Sequence, residues 1–126
     1  MTQEDKDLLL KDLCARLPYN VICQVEFRES GKYQSKSMFL SGVFTDEAYF
    51  TTESGSIYSN EYKPYLFPLS SMTDEQEEEY NDLNCCELGC FPHTEEALDY
   101  LIKNHFDYRG LIEKGLAIDA TNLNIY

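Results

Sequence analysis

Apolar residues change their spacing several times along the chain, and each change marks an element. Leu9, Leu10, Leu13 and Leu17 recur at helical spacing, behind Thr2 and the acids Glu4, Asp5 and Asp7. A threonine cap and early acids suit a helix N-terminus, where unpaired N–H groups and the positive end of the dipole gather. Pro18 ends the pattern, because it pushes its predecessor out of helical geometry. The spacing predicts a helix over Gln3–Arg16. Strict alternation follows. Val21, Cys23, Val25 and Phe27 point one way and Ile22, Gln24, Glu26 and Arg28 the other, as in a strand with one buried face. Residues 29–32 ("ESGK") form a turn. A second strand is expected over 33–44 with a bulge near Gly42, a third over 48–52 and a short fourth over 56–60. Connections this short predict an antiparallel meander.

The later pattern is less regular. Residues 62–72 ("YKPYLFPLSSM") hold Pro64 and Pro68, which argue against a central strand, so an extended segment lying across the sheet is expected. Thr73 then opens a helix over Asp74–Asn84, with Gln76 placed to complete a capping box. Tyr80 and Leu83 are its only apolar candidates, so it is expected at the periphery. A third helix starts near Thr94, with Ala97, Leu98, Leu101, Ile102 and His105 as its stripe. Residues 106–111 read as a turn in which Gly110 takes a positive φ, and 111–119 as a helical turn and a short final strand. The expected fold is α+β in one domain over 1–126. It has an N-terminal helix, an antiparallel β-meander of three to four strands, two C-terminal helices and a short final strand. The first and third helices are expected on one face of the sheet.

Composition supports one core. Hydrophobic residues make up 43% and charged residues 26%, both ordinary for a globular protein. No run of about eighteen apolar residues is present for a membrane helix, and the acidic start lacks the pattern of a signal peptide. Five cysteines, an odd number, suit reduced thiols, and the expected location is the cytoplasm. The net charge of −13 is concentrated in one region: between Lys63 and Lys103 there are ten acids and no Lys or Arg. Such a surface repels nucleic acid and anionic membranes and favours a basic partner.

Three candidate chemistries follow. Cys85, Cys86, Cys90 and His93 fall within "NCCELGCFPH", and a fourth metal ligand would have to come from Cys14, Cys23 or His105. Zinc sites commonly show two ligand pairs, and only one is present, so neither a metal nor any other cofactor is expected. A Cys-x-x-Cys redox pair is also missing, and Glu87 disfavours a thiolate. Second, "HFDYR" places His105, Asp107 and Arg109 two residues apart, on one side if the stretch is extended. A histidine oriented by a carboxylate is a general-base arrangement, but no nucleophile accompanies it, so no catalytic residue is assigned. Third, the carboxylates Asp74, Glu75, Glu77, Glu78 and Glu79 crowd one helix. The strand aromatics Tyr33, Phe39, Tyr49 and Tyr58 offer a stacking platform, but without basic neighbours nucleic-acid binding is not expected.

Three segments resemble a family of small acidic proteins of unknown function from gut anaerobic bacteria, their phages and mobile elements. They are "LLLKDLCARLPY", "KPYLFPLSSMT" and "NHFDYRGLIEKGLAIDA", about a third of the chain. The family pattern has arginine before the second proline where this chain has Phe67. It has Trp and paired histidines where Tyr100 and Asn104-His105 stand here. The resemblance implies a bacterial cytosol and a phage or mobile-element origin, and it implies no activity. The expected function is therefore a non-enzymatic protein-binding module, in its sharpest form an acidic inhibitor or modulator of a host protein with a basic surface. Its binding residues would be Asp74, Glu75, Glu77, Glu78 and Glu79, with His105, Asp107, Tyr108 and Arg109. One alternative is a small-molecule binder, nucleotide-like in ligand, with Arg109 in the pocket. The other is a hydrolase using His105 and Asp107. Strand edges of this kind also admit pairing with a second copy, a homodimer.

Overall fold

The computed structural model describes residues 2–43, 47–52, 55–59, 61–86, 89–90 and 95–126; of Glu29, Thr52, Asn84, Cys85, Cys86 and Cys90 it describes the backbone. The first helix, α1 (Gln3–Arg16), opens with a capping box. Asp5 N–H donates to Thr2 Oγ1 at 3.1 Å, and Thr2 N–H donates to Asp5 Oδ2 at 3.4 Å. A short 3-10 turn, Leu17–Tyr19, follows, with Pro18 inside it. Asn20 then takes a left-handed conformation (φ 56°) that swings the chain into the sheet.

Five strands run in sequence: β1 (Ile22–Glu29), β2 (Lys32–Val43), β3 (Ala48–Thr52), β4 (Gly55–Ser59) and β5 (Glu61–Pro68). The β1–β2 hairpin turns over Ser30 (φ 53°) and Gly31 (φ 78°), two positive-φ residues that match the twist of the flanking strands. The register of β2 against β3 shifts between Leu40 and Gly42, the bulge that Gly42 suggests. The order β4-β3-β2-β1-β5 is antiparallel throughout. The last strand thus returns to the first. At the other side of the curl, Ser59 Oγ of β4 donates to the Glu26 carbonyl of β1 at 2.7 Å. The sheet bends into a partly closed barrel rather than lying flat.

The alternation in β1 decides what fills it. Val21, Cys23 and Val25 point inward, fully buried, against Met38, Leu40, Ala48, Phe50 and Leu66. Leu9 and Leu13 of α1 close this core, and Leu111, Leu116 and Ala117 complete it. Pro64 does not keep its segment out of the sheet, as the sequence suggests. It stands opposite Cys23 at the last β1–β5 pair, where a missing N–H interrupts nothing further. Beyond it β5 changes partners, pairing in parallel with β8 (Phe106–Asp107) and β9 (Ile118–Asp119). The Tyr126 hydroxyl fills the gap, accepting from Ile22 N–H at 2.8 Å and donating to the Tyr65 carbonyl at 2.9 Å.

Two further helices, α2 (Asp74–Asn84) and α3 (Glu95–Lys103), pack against each other. Between them β6 (Cys85–Cys86) pairs with β7 (Gly89–Cys90). The expected start of α3 at Thr94 lies outside the described residues. The stripe of α3 buries Ala97, Leu101 and Ile102. It packs on α1, on α2 and on β8, the last a strand of the same sheet as β5. The protein is an α+β fold, with a larger sheet than the meander alone. Among the described residues no helix is long and apolar enough to cross a membrane.

Candidate functional site

The acidic helix is held by its cap and by α3. Gln76 N–H donates to Thr73 Oγ1 at 3.2 Å, and Thr73 N–H donates to Gln76 Oε1 at 2.9 Å, so the capping box forms as the sequence predicts. Tyr80 and Leu83 are half-buried and no described residue of α2 is fully buried. Asp74, Glu75, Glu77, Glu78 and Glu79 are all exposed. Asp74 and Glu75 profit from the positive helix end, but Asp74–Glu78 and Glu75–Glu79 are like-charge pairs at four-residue spacing. Among the described residues no ion pair neutralises this row. A groove of about 260 Å³ runs alongside, lined by Leu69, Met72 and Tyr80 together with Ser70, Glu77 and Asn81. Leu69 is 41% exposed there.

The residues of "HFDYR" behave differently. Their expected same-side arrangement requires an extended stretch, and only Phe106 and Asp107 are extended. His105 is left-handed (φ 63°), which breaks the alternation. Asp107 turns to the following loop: its carboxylate accepts from Leu111 N–H at 3.0 Å and from Ile112 N–H at 2.9 Å. It is the cap of that turn and does not orient His105. The His105 ring stacks on Tyr126 with centroids 3.8 Å apart and planes 11° from parallel. Its Nδ1 is buried without a hydrogen-bond partner among the described residues. Burial, and then the charge of Arg16, push its pKa down from 6.5 to about 4. An imidazole so weakly basic is a poor general base at neutral pH.

Arg109 enters a network whose other members the sequence reading missed. Asp12 and Arg16, both fully buried on α1, form an ion pair at 2.8 Å between Oδ2 and Nε. Arg109 Nε donates to the second carboxylate oxygen of Asp12 at 3.2 Å. Arg16 also donates through Nη2 to the Phe106 carbonyl. The Tyr108 ring lies under both guanidinium groups, 5.6 Å from Arg16 and 4.7 Å from Arg109. One carboxylate thus holds two arginines and ties α1 to the loop after α3. The i, i+4 spacing of Asp12 and Arg16 was the available signal. Their place beside Leu9 and Leu13 marks the pair as buried rather than solvated.

The side chains of Cys85, Cys86 and Cys90, and all of His93, lie outside the described residues. Of the fourth ligands proposed for that motif, Cys23 is fully buried in the core, where desolvation pushes its thiol up. Cys14 is exposed on α1. Among the described residues no group of three His, Cys, Asp or Glu is arranged to hold a metal ion. Compared with protein-family models, curated proteins and solved structures, the chain matches none.

Proposed function

We propose that this protein acts as a non-enzymatic binding module, whose acidic helix α2 engages a basic surface on a partner protein. One observation carries the reading: a row of exposed carboxylates, unneutralised by any ion pair among the described residues, runs beside a groove of mixed lining that offers Leu69, Met72 and Tyr80. Charge of one sign steers a basic partner, and Leu69, Met72 and Tyr80 supply the apolar anchor contacts that charge alone lacks. The segments that resemble proteins of phages and mobile elements supply the context, an inhibitor or modulator of a host protein. In that form the carboxylates stand where nucleic-acid phosphates otherwise bind. The turn residues His105, Asp107, Tyr108 and Arg109 support this interface only indirectly, by fixing the loop after α3 on α1. The hydrolase and nucleotide-binding alternatives draw on the same turn, where Asp107 and Arg109 are engaged with the protein's own groups.

The test is affinity capture from a bacterial lysate at low salt, with the chain and its Glu75→Gln/Glu77→Gln/Glu78→Gln/Glu79→Gln variant side by side. The expected result is a basic partner retained by the parent chain, lost from the variant and released by salt. Retention by both, or no basic partner at all, removes the reading.

A further inference from the structure

A second recognition site, sharing no residue with α2, lies where the barrel curls. A cleft of about 400 Å³ opens between β1, β2, β4 and the start of β5. Phe27 and Ile57 line it, half-buried against the core. Two further lining rings, Tyr33 and Tyr58, are 61% and 57% exposed, with Tyr58 tilted against Tyr49 at 4.8 Å between centroids. Glu26, Glu47 and Glu61 complete its polar side. Glu26 and Glu61 stand directly opposite each other in the β1–β5 ladder, a like-charge pair flanked on the same face by Arg28 of β1 and Lys63 of β5. Arg28, the one cation among the described lining residues, already lies over the Tyr33 ring at 4.7 Å.

We infer that this cleft binds an organic cation of side-chain size, an alkylammonium or guanidinium group. Aromatic faces attract such a cation through the ring quadrupole, and its apolar stem matches the Phe27 and Ile57 surface. Carboxylates in excess over Arg28 balance its charge. A metal ion fits less well, because these carboxylates do not gather into a cluster able to hold one. The volume suits one basic side chain or one short polyamine. An anion is disfavoured by the three glutamates, and a neutral ligand gains no charge attraction from them.

The experiment is an amide-shift NMR titration of the whole chain at low salt with N-acetylarginine methylamide, beside its neutral isostere N-acetylcitrulline methylamide. The expected result is a saturable response at Phe27, Tyr33, Ile57 and Tyr58 with the first probe and none with the second. Tyr58→Ala should weaken binding about tenfold, and Tyr33→Ala serves as the second ring variant should the first unfold. Equal response to both probes, a response to the cation that does not saturate, or full affinity in both ring variants overturns the proposal. Spermidine and the peptide Gly-Arg-Gly-Lys-Gly identify the source. Tighter peptide binding assigns a basic side chain of a partner protein, and tighter spermidine binding a free polyamine. The four-fold Gln variant of α2 should leave this titration unchanged, so failure of the cleft and failure of the α2 interface are read separately.

Discussion

Two charged regions of this protein are built in opposite ways. On α2 the carboxylates are exposed and without an ion pair among the described residues, Glu79 accepting a hydrogen bond from the Tyr100 hydroxyl of α3, and the fold gains little from their charge. In the other region the Asp12 and Arg16 charges are fully buried and paired, with Arg109 half-buried on the second carboxylate oxygen, and the fold depends on them, although Arg16 Nη1 has no hydrogen-bond partner among the described residues. Desolvation explains the difference. A buried charge costs several kcal/mol unless it is paired, so such a charge persists where structure surrounds it with partners. An exposed carboxylate costs almost nothing to the fold and stays available to another molecule. The contrast separates charge that builds the molecule from charge that it can present.

The sharpest break of this comparison is Asp12→Asn. It removes the carboxylate that faces both Arg16 and Arg109 and leaves a fully buried guanidinium without its counter-ion. Urea unfolding should show a loss of about 3–5 kcal/mol. A loss below about 1 kcal/mol would place this network in the same class as the α2 surface. Asp107→Ala comes next. It strands the N–H groups of Leu111 and Ile112, and should cost about 1–3 kcal/mol by the same measurement.

His105 sharpens the comparison through pH. Its pKa in the fold, about 4, lies below the ordinary 6.5, so between those values the unfolded chain binds more protons than the folded one. The stability gained by keeping the ring neutral is complete above about pH 6.5 and is lost as pH falls toward about 4. Urea midpoints across that window should fall more steeply for the parent chain than for His105→Gln. An imidazole NMR titration centred near 6.5 contradicts the burial of this ring. The smallest expected effect is on the other side of the contrast. Replacing Glu75, Glu77, Glu78 and Glu79 by Gln should change unfolding free energy by no more than about 0.5 kcal/mol, since no described ion pair is lost, an amide oxygen at position 79 still accepts from the Tyr100 hydroxyl, and some repulsion is relieved.

Much of the fold is legible in the sequence because local signals agree there with the tertiary outcome. Thr2 and Pro18 bracket α1, the alternation from Val21 to Phe27 marks the buried face of β1, and Gly42 marks the bulge. The partners of β5 are not legible, because Pro64 says only that a ladder ends, not that β8 and β9 take over. The curl of the sheet is likewise invisible locally, since it is registered by a contact between Ser59 and Glu26. At the site, the exposure of α2 follows from its poor apolar face. The turn after α3 does not follow, because the left-handed backbone at His105 breaks the alternation on which a shared His–Asp–Arg face depends. Asp12 is marked in sequence only by its spacing to Arg16 and its place beside Leu9 and Leu13, and Arg109 reaches it from 97 residues away.

The measurement that bears most directly on the central claim is the salt dependence of partner affinity, by calorimetry, for the parent chain and the four-fold Gln variant of α2. The account requires affinity for the captured partner to fall steeply with salt in the parent. In the variant both the affinity and the salt slope should be reduced while its unfolding curve stays unchanged. Equal affinity and equal slope in the two proteins would show that the exposed carboxylates of α2 are only a solvated face, and the binding function would have to be sought elsewhere on the molecule.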